Sequence, residues 1–126
     1  MRTAVAYLRR ATTDADGLRV QRQTIDTWAK REQIAIVAYH VDAGIAGHSV
    51  PCARAGFAAA LAEVTVGRLL VVASPDHLSR SPAQVARVAA SLARRGSELA
   101  CATVDVHRLL SILRHGQSAL NVPAEG

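Results

Sequence analysis

A chain of 126 residues, half of them apolar, is long enough to bury one core and too short for two ordinary ones, so a single compact unit is expected. Its formal charge of +5 rests almost wholly on arginine, because Lys30 is the only lysine; arginine suits bidentate phosphate contacts, yet an alanine- and arginine-rich composition also follows from base bias, so charge alone selects no partner. The first apolar stretch is about six residues, short of the roughly 7 to 15 of a signal-peptide core, and no run nears the 18 or so that cross a bilayer, so neither a signal peptide nor a spanning helix is expected and a cytoplasmic protein is.

Short apolar runs rich in β-branched residues recur at Thr3–Leu8, Ile34–His40, Leu69–Ala73 and Leu99–Val104, and longer helix-periodic stretches separate them. Leu18, Gln21, Ile25, Trp28 and Ala29 fall at helical spacing and predict a helix from about Leu18 to Gln33, with either Asp14 or Asp16 as its cap. Phe57, Leu61 and Val64 mark a second helix closed by Gly67. A third begins with Pro82 in its first turn after Ser81, carries Val85, Val88, Ala89 and Leu92 as its apolar stripe, and stops at Gly96. After Asp105, Val106 to Leu113 reads as the start of a further helix, with 106–126 otherwise a short tail beyond a domain of residues 1–105.

Strands alternating with helices define an α/β, three-layer fold with a mostly parallel sheet of four to five strands flanked by helices. In such sheets ligands gather at the carboxyl ends of the strands, so the loops of interest are Arg9–Gly17, Asp42–Arg54 and Ser74–Ser81. The last holds Asp76, His77 and Arg80, a carboxylate, an imidazole and a guanidinium suited to an anion, with no evident nucleophile among them.

Tyr7-Leu8-Arg9-Arg10-Ala11-Thr12-Thr13, Gln21, Asp42-Ala43-Gly44-Ile45-Ala46-Gly47, Arg54 and Asp76-His77-Leu78-Ser79-Arg80-Ser81 together resemble, in order and spacing, the catalytic domain of serine recombinases, the resolvase and invertase family. The resemblance spans roughly residues 3–105 and implies the family's chemistry: a serine hydroxyl attacks a DNA phosphodiester, forming a phosphoserine link, while arginines neutralise the charge that builds on the phosphoryl oxygens, without metal or cofactor. On that resemblance Arg9, Gln21, Arg54, Asp76 and Arg80 match the family's active-site positions, with Arg9, Arg54 and Arg80 as the phosphate or DNA contacts.

Two positions depart from the pattern. The serine is replaced by Ala11, a methyl group where an oxygen nucleophile is required, and the arginine after Asp76 is His77, a shorter side chain with an ordinary pKa of about 6.5. Ala46 also replaces a serine of the glycine loop, and Arg10 stands at a usually apolar place. Thr12 and Thr13 offer hydroxyls nearby, but a neighbour along an extended segment points to the other side, and a β-branched hydroxyl is stiff and crowded. The resemblance therefore implies the fold and argues against recombinase activity. Asp76 paired with one or two arginines as an inherited polar cluster is the plainer account of those charges.

Other features weigh less. Arg114-His115-Gly116-Gln117-Ser118 resembles the phosphoacceptor motif of histidine phosphatases, but with five residues after Asn121 in this sequence the match is expected to be coincidental and inert. Cys52 and Cys101 show neither metal-ligand spacing nor a disulfide framework, and Cys52 beside Arg54 lacks the surroundings of a cysteine phosphatase. Trp28 reads as core. With no helix-turn-helix module or long basic arm in the sequence, specific DNA reading by this chain is not expected; a homodimer or protein partner, together with weak non-specific DNA contact, is. Three functions stay open: an inactive dimerising or partner-binding module, an active nicking or strand-exchange protein that uses Thr12 or Thr13, and a phosphate or nucleotide sensor on the arginine-lined loops.

Overall fold

The structure, a computed structural model, describes residues 1–105 and Arg108. Four parallel strands form one sheet: β1 (Arg2–Arg10), β2 (Ile34–Ala43), β3 (Leu69–Val72) and β4 (Glu98–Cys101), in the order β2-β1-β3-β4. Because β1 is central and covered on both sides, its residues divide strictly by parity. Val5 and Tyr7 join one core cluster, and Ala4, Ala6 and Leu8 join the other. Strand β3 divides the same way, with Leu70 and Val72 on one face and Leu69 and Val71 on the opposite one. Burial on both faces is why these segments read as unbroken apolar runs in the sequence.

Helix α1 (Ala15–Glu32) covers one face through Ile25 and Ala29, with Leu18 and Trp28 partly buried beside them. It starts three residues before the expected Leu18, because the Asp14 side chain accepts from the Asp16 amide and caps the first turn there. Helix α2 (Ala55–Glu63) and helix α4 (Pro82–Arg94) cover the other face. In α4 the buried residues are Val85, Val88, Ala89 and Leu92, the stripe its sequence presents, behind a Ser81 cap that accepts from the Gln84 amide. Helix α2 ends at Glu63 rather than at Gly67; its Leu61 carbonyl already accepts from Val64.

Two segments expected as loops contain structure too short to announce itself by periodicity. Pro51–Ala53 forms a single 3-10 turn, and Pro75–Leu78 forms the short helix α3. Strand β4 stops at Cys101, although the Ala102 and Thr103 amides still donate to Val72 and Ala73. The helix expected over 106–113 and the tail beyond it lie outside the described residues, apart from Arg108, whose amide donates to the Asp105 carboxylate. No helix among the described residues is long and apolar enough to cross a membrane.

Candidate anion and DNA site at the strand ends

The carboxyl ends of β1, β2 and β3 deliver three loops to one end of the sheet, and backbone hydrogen bonds sew them together. The Ile45 amide donates to the Arg10 carbonyl at 3.0 Å and the Gly44 amide to the Thr12 carbonyl at 3.2 Å, which lays the glycine loop along the segment containing Ala11. The Arg80 amide donates to the Gly47 carbonyl at 3.1 Å, joining the same loop to the residues after α3.

Arg9 lies at the end of β1 and is 4% exposed. Its Nε donates to the His77 carbonyl at 3.0 Å, Nη1 to the Ile45 carbonyl at 2.7 Å and Nη2 to the Asp76 carbonyl at 2.8 Å. A guanidinium has five N–H groups, so three spent here leave two. Burial, and then the neighbouring Arg54, hold the Arg9 pKa below its ordinary value. Gln21 from α1 fixes the backbone of this residue from both sides. It accepts from the Arg9 amide at 3.2 Å and donates to the Arg9 carbonyl at 2.9 Å, so it positions the strand end.

Arg54 is more fully committed. Nε donates to Ser49 Oγ at 3.0 Å, Nη1 to the Leu78 carbonyl at 2.6 Å and the Tyr7 hydroxyl at 3.3 Å, and Nη2 to the carbonyls of Ser49 and Gly47 at 2.8 and 3.4 Å. Those bonds use every N–H of the fork, on a side chain that is 3% exposed. Arg54 thereby ties β1, the glycine loop and α3 into one knot, and in this arrangement it has no donor left for a phosphate.

The knot extends to a carboxylate that the sequence did not single out as a site residue. The Tyr7 hydroxyl donates to Asp42 Oδ2 at 2.8 Å, and the two Asp42 oxygens accept from the Gly56 and Phe57 amides at 2.9 Å each. Asp42, at the end of β2, thus caps helix α2, whose own N-cap residue Arg54 supplies no side-chain acceptor. Burial is the main reason the Tyr7 phenol is held far above its ordinary pKa. Phe57 meets the Tyr7 ring edge-on, with centroids 5.2 Å apart. Gly56 must lack a side chain, because a Cβ there would lie 2.7 Å from the Val41 carbonyl oxygen.

The lip of the site is different. Ala11, Thr12, Thr13, Asp76 and Arg80 are exposed, and among the described residues neither threonine hydroxyl makes a hydrogen bond. Arg80 passes over Gly47, where a Cβ would sit 2.9 Å from both Arg80 Cγ and Arg9 Nη2. The expected pairing of Asp76 with arginine is not what holds the cluster: the Asp76 backbone carbonyl takes the Arg9 bond, and among the described residues its carboxylate closes no ion pair. Arg10 points away from the knot, with Nη2 3.6 Å from Asp14 and its guanidinium lying over Gly17.

His77 is half-buried, and its Nδ1 is enclosed without a hydrogen-bond partner among the described residues. Desolvation, and then the charge on Arg9, hold its pKa below the ordinary value. Ser79, another residue missed in the sequence, donates to Gln84 Oε1 at 2.6 Å and accepts from the Ser81 amide at 3.0 Å, steadying the turn that presents Arg80. Cys52 is exposed and Cys101 buried, its thiol pushed up to about 12 by burial, and neither reaches the cluster through any bond. The described residues hold no group of three or more histidine, cysteine, aspartate or glutamate side chains placed to bind a metal.

The family model described as "Resolvase, N terminal domain" matches residues 4–115. Comparison with curated protein sequences finds no significant match. Among solved structures, the N-terminal catalytic domain of TP901-1 integrase superposes with a TM-score of 0.76 at 14% identity, over 99% of this chain and 100% of that one. A resolvase family site-specific recombinase from Streptococcus pneumoniae gives a TM-score of 0.67 at 16% identity, over 99% and 94% of the two chains. The C-terminal catalytic domain of ISC1926 TnpA, an IS607-like serine recombinase, gives 0.64 at 17%, over 88% and 77%. At these identities the superpositions establish the fold.

Proposed function

Because this chain belongs to the resolvase N-terminal domain family, we propose that it is a member whose strand-cutting chemistry has been lost and whose fold is kept as a dimerising or partner-binding module with a weak hold on DNA. The observation that carries the reading is Ala11. The segment 10–13 is held against the glycine loop at the strand ends, and the residue at the nucleophile's place ends in a methyl group. Covalent attack on phosphorus needs a lone pair there, and a hydrocarbon has none.

The saturation of Arg54 supports the same reading, since a guanidinium whose N–H groups all serve the protein is acting as scaffold. For DNA contact the geometry favours Arg80, which is exposed, backed by the two uncommitted N–H groups of Arg9. Such contact is electrostatic and falls steeply with salt.

The test is incubation of the full chain with supercoiled DNA carrying candidate recombination sites, followed by denaturation and a search for protein-linked DNA. The expected result is no adduct and no nicking. An adduct that disappears in a Thr12→Val, Thr13→Val variant would establish the active alternative instead. A second reading, an anion sensor, draws on the same exposed Arg80; a rise in Tm with phosphate or nucleotides that is lost in Arg80→Ala would favour it, and a flat thermal-shift panel removes it.

A further inference from the structure

On the face of the sheet away from α1, helices α2 and α4 leave an apolar groove of about 330 Å³ between them. Phe57 and Leu92, both fully buried, form its floor, while Leu61 and Val88 form its sides. Arg87 and Arg94 stand along its α4 wall. They are seven residues apart, two helical turns or about 10 Å, and so lie on one side of the helix. Both are exposed, and among the described residues neither has an acidic or hydrogen-bonding partner.

The counter-charge is absent from the groove itself. Helix α4 contains no acidic residue, and the one acid of α2, Glu63, accepts from His40 Nε2 at 2.9 Å. Arg95, by contrast, is already engaged with the Leu61 and Val64 carbonyls at the end of α2. An apolar trough with two unsatisfied cations on its rim is complementary to an amphipathic helix whose leucine-type face is bordered by carboxylates. The chain's own residues 106–126 fit poorly, because they carry Arg108 and Arg114 against a single acid, Glu125. Nucleic acid matches the charge but leaves the apolar floor unused.

We infer that the α2–α4 groove docks an acidic amphipathic helix of a different protein. This rests on the partner-binding reading and names the partner's chemistry. Carboxylates two turns apart on the partner meet Arg87 and Arg94, and apolar side chains at i, i+3, i+4 and i+7 fill the trough.

The experiment uses the full chain and two fluorescent helical peptides with the same leucine face, one bordered by glutamates and the other by lysines. The glutamate peptide is expected to bind saturably, and Arg87→Glu with Arg94→Glu to weaken it at least about tenfold while the lysine peptide gains. A Ser91→Trp variant, which fills the groove without altering charge, is expected to weaken both. No saturable binding of the glutamate peptide, equal binding of both peptides, or insensitivity to these substitutions would overturn the inference. Loss of self-association in the charge-reversed variant, read by sedimentation, would assign the groove to a second copy, and loss of DNA retention would assign it to nucleic acid; either overturns it. Self-association that persists while peptide binding fails removes the groove proposal and leaves the module reading standing.

Discussion

The buried knot around Arg54 and the exposed lip around Ala11 lie at the same end of the same sheet, and they differ in what they can still do. In the knot the bonds run within the protein: Arg54 spends all five N–H groups, Asp42 accepts three bonds, and Gln21 brackets the Arg9 backbone. At the lip Ala11, proposed above as the nucleophile's position, carries a methyl group, and the exposed Arg80 side chain makes no hydrogen bond among the described residues. Residues that belong to a reactive centre can outlast the reaction when the same side chains also close the fold, because each buried bond that is removed strands a polar partner.

The largest expected effect breaks the knot. Arg54→Ala strands the carbonyls of Leu78 and Ser49 and removes one of the two partners of the Gly47 carbonyl and of the Tyr7 hydroxyl, and should cost about 3 kcal/mol or more, a fall in Tm on the order of 10 °C. Thermal and urea unfolding measure it, and an unchanged Tm would show that the knot is incidental. Gly47→Ala comes next. Its Cβ meets an Arg80 side chain free to move and an Arg9 guanidinium that is not, so a cost of about 1–2 kcal/mol is expected, relieved little by a further Arg80→Ala.

A smaller effect concerns His77, whose folded pKa lies below the ordinary 6.5 or so of the unfolded chain. The unfolded state then binds more protons as the pH falls below about 6.5, so stability is complete above that pH and declines as the pH drops through the folded value. His77→Gln should flatten this limb of the Tm-versus-pH curve, and an unchanged limb would place its origin elsewhere. The smallest structural effect is at the lip. Arg80→Ala should leave Tm unaltered while lowering the salt dependence of any DNA binding by about one contact.

The sequence carried the fold well for a physical reason: strands buried on both faces must be apolar throughout, and α4 shows an uninterrupted stripe at Val85, Val88, Ala89 and Leu92. It carried less where a single side chain decides a boundary, as Asp14 does for α1, or where four residues make a helix, as Pro75–Leu78 do. The candidate site was legible as a set of positions brought to one place. What each residue touches was not, because acceptors such as the Leu78 carbonyl are chosen by tertiary geometry. Asp42 capping α2 across more than a dozen residues leaves no local trace, and Arg54 looks like a free phosphate ligand until its partners are seen.

The central claim is that this scaffold lacks reactive atoms at its lip and little else, and side-by-side fusions to a known DNA-binding tail test it most directly. One fusion carries the unaltered chain and the other carries Ala11→Ser with His77→Arg, and both are assayed for protein linked covalently to DNA through phosphoserine. The account predicts an adduct from the substituted fusion alone. An adduct from the unaltered chain, or none from a substituted chain that is folded and bound to DNA, would contradict it.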